Sequence, residues 1–391
     1  MCQAARVLRD VADLDPPPVG PARGDIGARA RRVHRRTTAD ERFVLLGTAG
    51  GSNPKATRRG YSNAVVVGDA AYIVDCGEGV HGSAWRSGVA MHLERRPPGG
   101  ATVRSIFLTH LHSDHVIDYA NLILGLWPTH KIDVYGPGPA GLPIPVHPPD
   151  RVAPVLFPEE PTPGVARMTE LLFRAFAYNL NERMADEGRH DVTACIKVHE
   201  IGVRRDGCEP DIDLGVVADG SSASAAAPAM EPVEIQPADA YGVRVTAVLV
   251  QHAPVFPALA YRFDTPSGSV VFSGDTGPCD NVVRLARGAD YLVHETINLD
   301  FLARRVAKLP NRESIISHLA SSHTSPKDAA RIAERAGVGT LVLSHLVPGD
   351  DEFGEDEWEA WARPHFSGEV VCGVDLDQFA LSSPVPNGRG S

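Results

Sequence analysis

The stretch Ile106-Phe107-Leu108-Thr109-His110-Leu111-His112-Ser113-Asp114-His115 decides the fold, because an apolar run leads straight into three histidines and an aspartate. Such a run predicts a buried strand ending near Thr109. Past its end, His110 and His112 point to one side and can chelate one ion, whereas Asp114 and His115 follow as the chain turns and suit a second. Imidazole and carboxylate donors favour zinc, with manganese or iron as alternatives. A lone surface histidine would carry no such meaning; a strand feeding His-x-His-x-Asp-His does.

Upstream, Phe43–Gly47 reads as a short buried strand that runs into the loop Gly47-Thr48-Ala49-Gly50-Gly51-Ser52-Asn53-Pro54. Without the Gly-Lys-Ser/Thr ending of a phosphate-binding loop, this segment reads as a tight connection between strands. Asn63–Val67 and Ala71–Asp75 form a hairpin through Gly68-Asp69. Asp75-Cys76-Gly77-Glu78-Gly79 closes it. Its acidic residues could bind metal, or Asp75 could hydrogen-bond the histidine-bearing loop and fix ligand orientation. A helix is expected over 80–95.

Downstream, residues 119–127 read as a helix and 132–137 as a strand. A strand pattern returns at Val243–Val250, with His252 just past its end and level with the first cluster. The hairpin Ala258–Phe263 and Ser269–Phe272 leads to Ser273-Gly274-Asp275-Thr276-Gly277, where a carboxylate at a strand tip can bridge two ions. Apolar runs also precede His294-Glu295 and His345. His323 stands ahead of a helix over 326–336, with Ser325 as its cap and Pro326 at its first position. Another short helix is expected over 355–363, and closing strands over 369–381. Strand ends that offer His or Asp in the same sense are what one sheet edge carrying a site would produce.

The segment between these halves is less regular. Its clearest element is a helix from about Met168 to Glu187, stopped by Gly188, with Leu172, Phe173, Phe176, Ala177, Leu180 and Met184 as an apolar stripe. That stripe could pack on the parent domain, cover the site as a lid, or form a homodimer surface. Gly220–Pro228 reads as a low-complexity linker.

A chain of 391 residues with 43% hydrophobic and 22% charged content suits one catalytic domain over 41–381, with an insertion at about 140–238. Residues 1–40 and 382–391 are expected to be flexible tails. No stretch approaches a membrane span. The net charge of −11, from 38 basic and 49 acidic residues, provides no broad basic field for a polyanion, so a nucleic-acid partner is not expected. Cys2, Cys76, Cys195, Cys208, Cys279 and Cys372 show no paired spacing and read as reduced thiols of a cytoplasmic protein.

The ordered set Gly47-Thr48, Asp75-Cys76-Gly77-Glu78-Gly79, Thr109–His115, Gly274-Asp275-Thr276, His294-Glu295 and Leu343-Ser344-His345 resembles the metallo-β-lactamase superfamily. Within it, the chain is similar to the branch of tRNA 3′-processing endonucleases and their arylsulfatase-like relatives. The resemblance covers roughly 42–137 and 240–380 and implies the α/β class, as an αββα sandwich with two divalent metal ions at one edge of its sheets. By motif position, one ion would take His110, His112 and His252, and the other Asp114, His115 and His345, with Asp275 bridging. A bridging water, its pKa lowered by two cations, would supply the hydroxide nucleophile. Asp114 would also orient it. His323, with Glu295 as partner, would stabilise the transition state or protonate the leaving group.

One departure bears on the substrate. RNA-cleaving members often carry an extended arm between the third-motif histidine and the bridging aspartate, and the 23-residue step from His252 to Asp275 leaves room only for a hairpin. The expectation is therefore a dinuclear hydrolase of a small-molecule ester, whether a phosphodiester, a sulfate ester or a lactone, with RNA 3′-processing as the alternative.

Overall fold

The computed structural model describes residues 35–381 except 38, 91–99, 142–143, 145, 147–151, 205–208, 216–226 and 351. The tails expected over 1–40 and 382–391 thus lie almost wholly outside the described residues, as does most of the Gly220–Pro228 linker. Alternation within the first strands sets the layers. In β1 (Glu41–Gly47), β2 (Ser62–Val67) and β3 (Ala70–Val74), one face carries Val44, Leu46, Ala64, Val66 and Ile73 and the other Phe43, Leu45, Val65 and Tyr72. Because successive side chains of a strand point to opposite faces, two apolar sets require two covering layers.

These strands form an antiparallel meander, onto which β4 (Thr102–Phe107), β5 (Ile132–Pro137), β6 (Ile196–Gly202) and β7 (Ile212–Asp213) add in parallel. A second sheet pairs β8 (Val233–Gln236), β9 (Arg244–Leu249), β10 (Leu259–Asp264) and β11 (Ser269–Phe272) antiparallel, then β12 (Tyr291–Ile297), β13 (Thr340–Val347) and β14 (Glu369–Cys372) parallel. The last strand, β15 (Gln378–Ala380), returns to the free edge of β1. Parallel neighbours need crossovers, and these supply the outer helices. Helices α1 (Val80–Arg86), α2 (Ser113–Val116), α3 (Tyr119–Leu126), α4 (Val165–Ala175) and α5 (Ala177–Asp186) follow strands of the first sheet. Helices α6 (Asp280–Leu285), α7 (Leu299–Val306), α8 (Arg312–Ser322), α9 (Pro326–Ala336) and α10 (Glu355–Ala362) belong to the second half. The result is the αββα sandwich.

The sheets meet over an aromatic core. Phe107 stacks on Tyr135 at 4.9 Å and presents its ring to the edges of Tyr261 and Phe263 at 5.5 and 5.1 Å. Phe107 is the residue at the end of β4, directly ahead of the histidine cluster, so core packing and site placement are one constraint.

Two expectations change. The helix expected over 168–187 is two helices meeting at Phe176, whose φ of −96° and ψ of 13° interrupt the first. Its stripe is divided accordingly: Leu180 is buried and Met168, Leu172 and Phe173 pack on the outer core of the first sheet, while Phe176 and Tyr178 are exposed. The helix expected over 80–95 ends at Arg86, and its last residues lie outside the described ones. The segment 140–238 also contributes β6, β7 and β8 to the far edges of both sheets.

Replacing Phe107 by Ala empties the centre of the inter-sheet core and is expected to cost about 3–5 kcal/mol of stability. Denaturant unfolding of the variant beside the wild type measures it, and a loss under 1 kcal/mol would contradict this packing.

Candidate metal centre

The side chains singled out in the sequence come together where strands of both sheets end. Nitrogen and oxygen donors of His110, His112, His252 and Asp275 lie within 4.8 Å of one another, as do those of Asp114, His115, Asp275 and His345. Asp275 belongs to both groups. Its Oδ2 lies 3.9 Å from Nε2 of His110 and of His252, while its Oδ1 lies 3.2 Å from His115 Nε2 and 3.1 Å from His345 Nε2. His110, His115, His252, His345, Asp114 and Asp275 are buried, and His112 and His323 are partly exposed.

Local backbone explains each placement. Beyond β4, Thr109 donates its N–H (2.7 Å) and hydroxyl (2.8 Å) to the two oxygens of Asp75, which also accepts from His115 Nδ1 at 2.9 Å. Asp75 therefore braces the histidine-bearing loop and joins neither donor group. His110 Nδ1 lies 3.1 Å from the Thr109 hydroxyl, which already gives its proton to Asp75, so the imidazole N–H donates and Nε2 keeps its lone pair. His252 Nδ1 donates to the Ser322 carbonyl at 2.9 Å, with the same effect on its Nε2. Leu259 N–H bonds the Thr109 carbonyl and Tyr261 hydroxyl the Leu108 carbonyl, tying β10 to the ligand loop. The turn that presents Asp275 needs glycine at 274: φ is +57°, and a Cβ there would sit 2.6 Å from the Leu259 carbonyl oxygen.

His345 reaches the centre by an irregularity. The sequence suggests a strand ending before it, yet β13 continues to Val347, and the β12–β13 register slips so that Thr296 pairs with Leu346. His345 adopts φ of 46° at that slip, a bulge that re-aims its side chain. Gly50, which the sequence marks only as part of a connection, makes room for the ring: a Cβ at 50 would lie 2.3 Å from it. The next residue, Gly51, donates its N–H to Asp114 Oδ2 at 2.8 Å. The roles of Gly50, Gly51, Thr109 and the Ser322 carbonyl escape the sequence because each depends on a backbone group or a missing side chain.

His323 Nδ1 donates to Glu295 Oε1 at 2.9 Å, and the same oxygen accepts from Thr276 N–H at 3.0 Å. Against burial, which lowers it, the Glu295 carboxylate pushes His323 up to about 9. His294 turns away: its Nδ1 donates to the Glu295 carbonyl, and it joins none of the donor groups. Glu78 pairs with Arg59 at the surface.

The donor chemistry fits divalent cations. His110 Nε2 is buried without a hydrogen-bond partner among the described residues and faces the donor atoms of His112, His252 and Asp275. Burial pushes His252 down to about 3 and His110 well down, which keeps both neutral as ligands require. Burial raises Asp275, but His345, His115 and His110 outweigh it and hold it well below the carboxylate range. His115 is the exception: burial lowers it, but Asp275, Asp75 and Asp114 raise it well above an ordinary imidazole.

Comparison with known proteins gives consistent relatives. Residues 57–164 match the model of the metallo-beta-lactamase superfamily and residues 214–346 that of a beta-lactamase superfamily domain. Ribonuclease Z of Mycobacterium bovis is 33% identical over 339 residues, covering 87% of this chain and 98% of the relative. Ribonuclease Z of Mycobacterium tuberculosis is 32% identical, covering 87% and 97%. Among solved structures, the metallo-beta-lactamase fold protein YhfI of Bacillus subtilis aligns with a TM-score of 0.51 at 19% identity, covering 87% of this chain and 98% of that one. The short form of human tRNase Z gives 0.51 at 18%, covering 87% and 99%.

A methyl group at position 50 should push the His345 ring out of place. Gly50→Ala is expected to lower metal affinity about 10- to 100-fold, read by metal analysis after dialysis against graded chelator. Retention equal to wild type would show that the ring tolerates the displacement.

Proposed function

Because this chain belongs to the metallo-β-lactamase superfamily, in its ribonuclease Z branch, we propose that it is an RNA endonuclease that cleaves the 3′ trailers of precursor tRNA. It is a metal-dependent hydrolase acting on phosphoester bonds. What carries the RNA reading is the match to ribonuclease Z along nearly the whole length of those relatives. The expectation of a small-molecule ester substrate without a nucleic-acid partner is thereby corrected. It rested on net charge and on the short His252–Asp275 step, and neither is a property of the site. A surface can hold a local basic patch on an acidic protein, and a missing arm removes one means of gripping RNA while leaving the cleaving centre intact. The relatives above likewise favour the RNA-processing side of the resemblance over the arylsulfatase side.

On this reading the centre would hold two zinc ions, with His110, His112 and His252 as the residues for one, Asp114, His115 and His345 as those for the other, and Asp275 shared by both groups. When bound, they supply Lewis acidity toward a phosphoryl oxygen and a nucleophile from water at neutral pH. The residues of the chain do the rest. Asp75 and the Ser322 carbonyl hold His115 and His252 in the tautomer that binds. Asp114, fixed by Gly51, can accept a hydrogen bond from the attacking water and orient it. His323, held by Glu295, can donate a proton to the leaving oxygen or neutralise the charge that gathers in the transition state.

No helix among the described residues is long and apolar enough to cross a membrane. Cys76 and Cys279 are buried free thiols, in keeping with a cytoplasmic setting.

Zinc-loaded protein should release the trailer from a precursor tRNA, lose this activity to chelator and regain it with zinc. His112→Ala should reduce the rate about a thousandfold, since several kcal/mol of transition-state stabilisation go with the ion. Failure of the metal-loaded wild type to cut any precursor would sink the reading. His323→Asn should lower kcat by roughly 10²–10⁴ with metal content unchanged. If its metal content fell in step with kcat, His323 would be a support of the centre rather than a proton donor.

A further inference from the structure

Between β12 and α9 the chain inserts a helical hairpin, α7 and α8, that the mechanism above does not use. Its inner end is fastened to the metal centre. Ser322, the last residue of α8, accepts a hydrogen bond from His252 Nδ1 on its carbonyl and donates its hydroxyl to the Ala253 carbonyl. One turn back, His318 places its ring 5.8 Å from that of His323 and 6.1 Å from that of His252. The other end is fastened too. Asn298 caps α7 by accepting from Phe301 N–H, Phe301 meets Phe353 edge-on at 5.2 Å, and Arg305 pairs with Glu352 at 3.1 Å.

These attachments leave one face outward, and its charge is opposite to that of the molecule. Within a chain of net charge −11, the hairpin carries Arg304, Arg305, Lys308 and Arg312 against Asp300 and Glu313. Arg304, Lys308 and Arg312 are exposed. Arg304 and Lys308 form no ion pair among the described residues. Among the described residues Arg312 pairs only with its exposed neighbour Glu313, at 3.3 Å, a contact worth little in water. Helix α8 spans Arg312–Ser322, so at 1.5 Å per residue these cations begin ~15 Å from the centre. Each strand of duplex nucleic acid carries one charge per ~3.4 Å of axis, so a strand whose scissile bond lies at the centre presents several phosphates within that reach.

We infer that the α7–α8 hairpin is the RNA grip of this enzyme, with Arg304, Lys308 and Arg312 contacting the phosphate backbone beside the cleavage point. The inference rests on the RNA-processing reading above and adds to it the surface that holds the substrate. Cationic side chains here cannot read sequence; they fix the strand's position and raise its local concentration.

The test uses the zinc-loaded full chain and a fluorescently labelled precursor tRNA, with affinity measured across a salt series. Combined Arg304→Glu, Lys308→Glu and Arg312→Glu should weaken binding more than tenfold at about 0.1 M salt and flatten the slope of log affinity against log salt by about two to three. Exchange of Arg and Lys at the same positions should keep binding within about threefold, since the charge remains. Arg331→Glu, on the outer helix α9, serves as the control and should leave binding within about twofold. Metal content and circular dichroism verify that each variant is folded and loaded. Unchanged affinity and slope in the triple variant, with wild type binding, would overturn the grip, as would an equal loss in the Arg331→Glu control. Wild type that binds RNA without cutting it would defeat the proposed function alone, because the grip is read from binding. Wild type that does not bind defeats both.

Discussion

The Asp275 carboxylate is the side chain on which both halves of the site depend. One oxygen faces His110 and His252, the other His115 and His345, and these four histidines come from three separate regions of the chain. The carboxylate sits at the tip of β11 in the second sheet, whereas His110 and His115 follow β4 in the first. The centre therefore exists only if the two sheets pack in one register. The hydrogen bonds from Leu259 and Tyr261 to the backbone ahead of His110 fasten that register at the site itself.

Collecting five buried titratable side chains around one carboxylate is costly unless something balances their charge. Desolvation disfavours every charged form, and the lone pairs that converge on Asp275 cannot hydrogen-bond to one another. Burial pushes His110 and His252 toward the neutral form, whereas at His115 the carboxylates of Asp275, Asp75 and Asp114 act against burial and raise it. Divalent cations resolve the same conflict more completely, since each replaces an unfavourable arrangement of lone pairs with coordination. The hydrogen bonds behind the ligands, from Thr109, Asp75 and the Ser322 carbonyl, set the tautomers in advance.

Much of this was legible in the sequence for a simple reason. Candidate metal-binding side chains at strand ends announce themselves when an apolar run stops at His or Asp, as at Thr109–His115 and Gly274-Asp275, and each such stretch is local. His252 and Asp275 needed only the assumption that parallel strand ends share an edge. His345 was readable as a residue but not as a conformation, because the bulge that turns it inward is a register slip between β12 and β13. Gly50 and Gly51 were unreadable in their roles: what they provide is space for His345 and an N–H for Asp114, and neither leaves a pattern in side-chain chemistry. The break at Phe176 was hidden by a hydrophobic period that runs through it unchanged.

The substrate was the part most easily misjudged, and the reason is physical. Net charge sums over a surface that substrate never touches, whereas screening limits each phosphate to the charges within about 10 Å. An acidic total is thus compatible with a cationic edge beside the metals, provided the acidic residues lie elsewhere. The chemistry of the centre is equally indifferent to what lies beyond the scissile bond: a cleft that activates water against one phosphoester will do so for another of the same reach. Selection among such substrates must fall to elements that border the centre without belonging to it. In this chain one such element, bonded to His252 through the Ser322 carbonyl, is the helical hairpin with its exposed cations, and that makes the charge of this edge, rather than of the whole protein, the quantity relevant to substrate choice.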